Sequence, residues 1–159
     1  MIPAYVAALR ALVGPDHGLW LPGVNAVVLD AGRVLLHRRS DTGEWSILSG
    51  ILDPGEEPAD GVVREVREET GINVVVERLA GVTVSPEVVH PNGDRAQYLE
   101  LIFTCRPDGP GQVARVGDDE SLEVGWFPAD ALPPMRERTR ELLRIGLEKR
   151  ERAWFRPAG

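Results

Sequence analysis

An α/β (α+β) layer domain is the fold this sequence predicts, on three observations. Its 159 residues suit one domain of about 100–200 residues. Its 43% hydrophobic and 27% charged content is ordinary for a globular chain, so disorder and collagen-like repeats are excluded. Period-two and helical hydrophobic patterns also follow one another in mixed order, as layered domains require.

Ile2, Tyr5, Val6, Leu9, Leu12 and Val13 recur at helical spacing, and Gly14-Pro15 ends that helix. Residues 24–30 and 33–39 read as strands joined by a turn at Asp30-Ala31-Gly32. A loop over 41–45 leads into the short apolar stretch Ile47-Leu48, and Asp53-Pro54-Gly55 is a turn signature. Pro58 suits the first turn of a helix running to Thr70, and Gly71 suits its stop. A valine-rich strand covers 73–85, with Gly81 as a candidate break, and Pro91-Asn92-Gly93-Asp94 is a hairpin turn signal. Residues 96–106 form a strand with two faces: Gln97, Leu99, Leu101, Phe103 and Cys105 on one, Tyr98, Glu100, Ile102 and Thr104 on the other. A Gly/Pro-rich loop spans 107–117, a further strand 121–127, and a last helix runs from near Met135 toward Ala153. Residues 1–18 thus form an amphipathic helix and linker, and 19–159 the main domain with its C-terminal helix.

Composition also limits function. A net charge of −7 without a basic stripe argues against a nucleic-acid partner. No apolar run approaches the roughly 20 residues of a spanning helix, so no membrane role is expected. The N-terminus lacks a basic start and cleavage site, which argues against a secretory signal. The single cysteine, Cys105, cannot form an internal disulfide, and a reducing cytoplasmic setting is expected.

The helix over 58–70 conflicts with local stability rules. At about 100° per residue, Val62, Val63, Val66 and Thr70 face the core, while Glu65, Glu68 and Glu69 cluster on a neighbouring side. Like charges three and four residues apart repel. Carboxylates in a last turn also oppose the helix dipole, by about 0.3–1 kcal/mol each. Such a conflict marks a functional site. A bound divalent cation such as magnesium would resolve it, since magnesium takes carboxylate, water and phosphate oxygens. A solvated acidic face partly neutralised by Arg64 and Arg67 would resolve it too.

The spacing around this helix resembles the Nudix box. Gly50, Glu56, Arg64, Glu65, Val66, Glu68, Glu69, Gly71 and Ile72 meet every fixed position over 23 residues. The resemblance extends from about Leu19 to Pro133 through Leu35-Leu36-His37-Arg38-Arg39, Thr42-Gly43-Glu44-Trp45, Asp119-Glu120-Ser121 and Trp126-Phe127. Two departures are Leu48-Ser49-Gly50, where the family usually has Gly-Gly, and Gly61, where alanine is frequent.

The resemblance implies an α/β/α sandwich with a mixed β-sheet and a loop–helix–loop that binds magnesium or manganese. It implies hydrolysis of a small-molecule nucleoside diphosphate linked to another group. Glu65 and Glu69, with Glu68 as a third, are the implied metal ligands, joined by the Gly50 carbonyl. Arg64 would orient the carboxylates, Glu56 would brace the loop, and Glu68 or Glu120 would serve as general base. Arg38 and Arg39 are candidate substrate contacts, although alternation lets only one point inward. His37 and His90 show no ligand spacing and are assigned no chemistry. Pro86, fifteen positions beyond Gly71, resembles a sub-pattern associated with ADP-ribose pyrophosphatases, and a strand terminator reads equally well there. ADP-ribose or a nucleotide sugar is the first expectation. A MutT-like nucleoside triphosphate pyrophosphohydrolase and a non-catalytic nucleotide sensor are the alternatives. The N-terminal helix face is expected either to form a homodimer contact or to pack on its own domain.

Overall fold

The computed structural model describes residues 2–90 and 92–159. The chain runs α1 (Ala4–Val13), β1 (Leu19–Asp30), β2 (Arg33–Arg39), β3 (Trp45–Ser46), β4 (Leu48–Ile51), α2 (Pro58–Thr70), β5 (Val74–Val84), β6 (Val88–Val89), β7 (Arg95–Pro107), β8 (Ser121–Pro128) and α3 (Glu137–Leu147). Pro91, the first residue of the expected 91–94 turn, lies outside the described residues. The His90 N–H donates to the Asp94 carbonyl at 2.8 Å, so the hairpin closes there.

β1 is the hinge of a mixed sheet. It pairs in parallel with β7 over Leu19–Val28 and antiparallel with β4 over Gly23–Ala26. Its last two residues pair with β2, which continues antiparallel to β3 and β8. β5 and β6 join the other edge of β7, both antiparallel. The expected α/β/α layering follows from side-chain alternation. Val24, Ala26 and Val28 of β1 and Phe103 and Cys105 of β7 pack with Val62 and Val66 of α2. Val27, Ile102 and Leu36 point to the other face and pack with Leu142, Leu143 and Ile145 of α3.

The short strands β3, β4 and β6 add to the expected elements, and β1, β5 and the last helix differ from expectation. β1 begins at Leu19 rather than Val24, because the apparent breaker Pro22-Gly23 is accommodated: the Pro22 carbonyl accepts the Leu52 N–H at 3.1 Å. β5 is continuous past Gly81, with register shifts absorbing the irregularity near Arg78 and Gly81. The last helix ends at Leu147, short of Ala153. Its terminal carbonyls are taken from across the molecule: Arg78 donates to Gly146 and Glu148, and the Thr104 hydroxyl donates to Gly146 at 3.0 Å. Trp154 then bonds Ala80 and Val82 beside β5.

α1 packs Val6 and Tyr5 over Leu21, Ala96 and Tyr98. Arg10 fastens it through the Arg95 carbonyl at 2.8 Å and Asp94 at 3.2 Å. Its far side stays open, with Leu12 82% exposed. No helix among the described residues is long and apolar enough to cross a membrane.

Candidate active site

α2 starts on Pro58, whose missing N–H costs nothing at a helix N-terminus. It stops at Gly71 in the left-handed conformation, φ 69°, which glycine adopts without strain. Its buried stripe is wider than the apolar residues alone. Gly61, Val62, Val66 and Thr70 are buried, and so are Glu65 and Glu69. Glu68, by contrast, lies on the exposed side of the helix. The three carboxylates therefore do not share one environment. The pair at i, i+4 is turned into the protein and the third faces solvent.

Arg64 joins the helix to the loop before it. Its Nε and Nη2 donate to the two oxygens of Glu56 at 2.7 and 2.9 Å, a forked pair. Its Nη1 donates to Glu65 Oε1 at 2.8 Å and to Glu68 Oε2 at 3.2 Å. Glu56 Oε2 also accepts the Asp53 N–H at 3.0 Å. The Arg64 guanidinium holds the Glu56 carboxyl below its ordinary range. Glu56 thus ties Arg64 to the loop before α2, and Arg64 ties that loop to Glu65.

Gly50 lies directly against Glu65. A side-chain carbon at Gly50 would fall 1.8 Å from the Glu65 carboxyl carbon, so only glycine leaves the carboxylate its place. Gly61 also packs closely: a carbon there would meet the Leu52 side chain at 2.3 Å and Glu56 at 3.0 Å. The departure from alanine thus matches a tight helix–loop contact.

The acidic loop beyond β7 closes the other side. The Arg115 and Gly117 N–H groups donate to the Thr70 and Glu69 carbonyls, both at 3.0 Å. These bonds satisfy the end of α2, where the dipole is least hospitable to glutamate. A side-chain carbon at Gly117 would fall 1.9 Å from the Glu68 carbonyl oxygen, so the loop can dock only through glycine. The docking sets Asp118 and Glu120 around Glu69. Glu120 is further fixed by the Ser40 N–H donating to its carbonyl at 2.8 Å.

Burial pushes the Glu65 carboxyl up to about 7, with Arg64 pulling the other way. Glu69 is raised well above its ordinary value, first by burial and then by the charges of Glu65, Asp118 and Glu120. Glu69 Oε2 is buried without a hydrogen-bond partner among the described residues. Asp118, to which the sequence pattern assigns no role, is thus part of the cluster.

The two arginines of β2 separate. Arg39 is gripped by Asp41 at 2.8 and 2.9 Å and feels the charges of Glu69 and Glu120. Arg38 pairs instead with Glu123 at 3.3 Å on β8. Of the expected substrate contacts, the structure brings Arg39 to the carboxylates and leaves Arg38 apart from them. His37, assigned no chemistry from sequence, is buried beside Glu69. Burial first, then Arg39, lowers its imidazole to about 4. Trp45 stacks edge-on against Phe127, and Trp126 lies under Arg33, both as anchors. Burial pushes the Cys105 thiol up to about 12, leaving it inert.

These residues fit a hard divalent cation. The donors are carboxylate oxygens, one of them an orphaned buried atom, and their mutual repulsion calls for positive charge. Among the described residues no three acidic, His or Cys side chains already converge as a closed ligand set.

The profile of the NUDIX domain matches residues 19–144. The chain belongs to the Nudix hydrolase family. A MutT-like protein from Streptomyces ambofaciens is 39% identical over 133 residues, covering 84% of this chain and 76% of that protein. An ADP-ribose pyrophosphatase from Methanocaldococcus jannaschii is 29% identical over 115 residues, covering 70% of this chain and 64% of that one. The chain spans about half of a further Nudix relative from Bacillus subtilis. Among solved structures, an ADP-ribose pyrophosphatase from Streptococcus suis superimposes with a TM-score of 0.64 at 25% identity, covering 84% of this chain and 96% of that one. The mixed sheet, the flanking helices and the α2 loop–helix–loop are those of a Nudix fold.

Proposed function

We propose that this Nudix hydrolase cleaves the diphosphate linkage of a nucleoside diphosphate joined to another group, with ADP-ribose or a nucleotide sugar as its substrate. The observation that carries this reading is the buried pair Glu65 and Glu69, with an unpartnered Oε2, in a ring of further carboxylates. Glu65, Glu69 and the Gly50 carbonyl would hold magnesium or manganese, with Glu68 at the solvent edge. A cation bound there supplies neutralisation of the diphosphate charge and a lowered pKa for an attacking water. Arg64 holds Glu65 in place, and Glu56 holds Arg64. Arg39, steadied by Asp41, presents a guanidinium that a phosphate oxygen can accept from. Glu120 takes the proton from the water as general base. Glu120 is favoured over the solvent-facing Glu68 because its charge reaches both Glu69 and Arg39. ADP-ribose would yield AMP and ribose 5-phosphate.

A second reading, a MutT-like nucleoside triphosphate pyrophosphohydrolase, is favoured by the name of the Streptomyces relative. Pro86, just past the end of β5, sits where a strand terminator also belongs. A turnover panel of ADP-ribose, nucleotide sugars and nucleoside triphosphates, run with Mg²⁺ and with Mn²⁺, separates these readings. AMP release from ADP-ribose is expected. Preferred pyrophosphate release from a triphosphate would favour the MutT-like reading, and binding without product would favour a sensor.

The open side of α1 is proposed as a homodimer contact, because Leu12 and Ile2 find no cover on their own domain. Light scattering should then show a dimer that falls to a monomer when the chain starts at Gly18. An unchanged mass would remove the proposal.

A further inference from the structure

We propose that His37 and Ser121 form a positioning pair that fixes the Glu69 carboxylate from behind, an inference that rests on the cation-holding reading above. His37 is 1% exposed and Ser121 5%. His37 Nδ1 lies 2.8 Å from Ser121 Oγ and 3.6 Å from Glu69 Oε1. The first is a hydrogen bond; the second is a polar contact just beyond hydrogen-bond length. Glu69 therefore turns one oxygen toward the imidazole and leaves Oε2, which has no partner, for the site.

A backbone irregularity creates this pair. β2 and β8 run in antiparallel register with His37 opposite Val124 and Arg38 opposite Glu123, yet Arg39 is opposite Ser121. Leu122 is the extra residue of a bulge. Without it, alternation would place Ser121 on the face of Arg38, away from Glu69. With it, Ser121 shares the face of His37 and Arg39. Bulges re-aim single side chains in this way beside active sites. A buried imidazole, bonded to the Ser121 hydroxyl and to the Ile47 backbone, would otherwise be an odd choice for a strand position whose neighbours Leu35 and Leu36 are apolar. The pair gives the carboxylate a polar wall and a fixed orientation, the service that outer partners of metal ligands perform.

The test is Mn²⁺ affinity of the full chain, read by electron paramagnetic resonance of the free ion, with kcat and KM measured in parallel. His37→Leu is expected to weaken Mn²⁺ binding by about 10–100-fold, the usual effect of losing an outer partner. His37→Gln, whose amide keeps a polar group at similar reach, should recover most of that loss. Ser121→Ala should weaken binding several-fold, with the activity loss in kcat rather than KM. A merely structural role would lower thermal stability and leave the affinity of the folded protein unchanged. Mn²⁺ affinity within about twofold of wild type in His37→Leu, or in Ser121→Ala should His37→Leu fail to fold, overturns the proposal. If Glu69→Gln also binds Mn²⁺ normally, the cation-holding reading itself is wrong. If Glu69→Gln loses binding while the His37 and Ser121 variants keep it, only the positioning pair is wrong.

Discussion

Glu100 and Glu69 are both buried glutamates, 8% and 1% exposed, on opposite sides of the same sheet. Around Glu100 every charge is answered. Arg138 of α3 donates to it, and the same guanidinium reaches the Val84 carbonyl at 3.2 Å and Glu141 at 2.6 Å. Burial raises the Glu100 carboxyl, and the Arg138 hydrogen bond pulls it back. Around Glu69 the surroundings do the reverse. Burial raises it, Glu65, Asp118 and Glu120 raise it further, Arg39 alone pulls it back without a hydrogen bond, and Oε2 has no hydrogen-bond partner among the described residues. A buried acid that only ties elements together brings its own counter-charge. Glu69 is offset only in part, by the charge of Arg39, and the fold tolerates the strain because the rest of the site over-determines it.

The contrast can be broken by substitution. Glu69→Gln should lower turnover by at least about 10²-fold, on the scale of losing one group that stabilises transition-state charge. In EDTA its melting temperature should match or exceed wild type, because a buried repulsion is removed. Turnover at the wild-type rate would show that Glu69 is no more than a core acid. Glu100→Leu should behave oppositely. It strands a partly buried guanidinium, should cost about 1–3 kcal/mol in denaturant unfolding, and should leave kcat of the folded protein unchanged. A loss of kcat without a loss of stability would contradict the division between the two faces.

A pH series sharpens the same comparison. The Glu65 carboxyl is raised from 4.5 to about 7 in the metal-free fold. A raised carboxyl contributes stability that is complete below its unfolded value and is lost as pH rises through its folded value. The melting temperature in EDTA should therefore fall as pH rises from about 4.5 to about 7, and excess Mg²⁺ should restore it, since a ligand of the folded state stabilises it. A flat profile in EDTA, or no response to Mg²⁺, would show that the cluster carries no such strain.

Much of this was readable from the residues. Pro58 and Gly71 bracket α2 where they were expected to, and the two faces of β7 face α2 and α3 as alternation predicts. The box spacing pointed to Glu56, Arg64, Glu65 and Glu69, which are adjacent in the fold. What was not readable depended on distant partners. The end of α3 is set by Arg78 and Thr104, far away in sequence. The division of Glu65 and Glu69 from Glu68 depends on how α2 rolls onto the sheet. Asp118 joins the cluster only because Gly117 can dock on the end of α2. His37 acquires its partner through a bulge at Leu122 that no local pattern announces.

In the proposed function a divalent cation completes the buried Glu65–Glu69 pair, which Arg64 and Arg39 offset only in part. Calorimetric titration of the wild-type chain and of Glu65→Gln/Glu69→Gln with Mn²⁺ tests it most directly. Saturable binding to wild type is expected, with a loss of more than about tenfold in affinity in the double variant. Equal binding by the two proteins would contradict it.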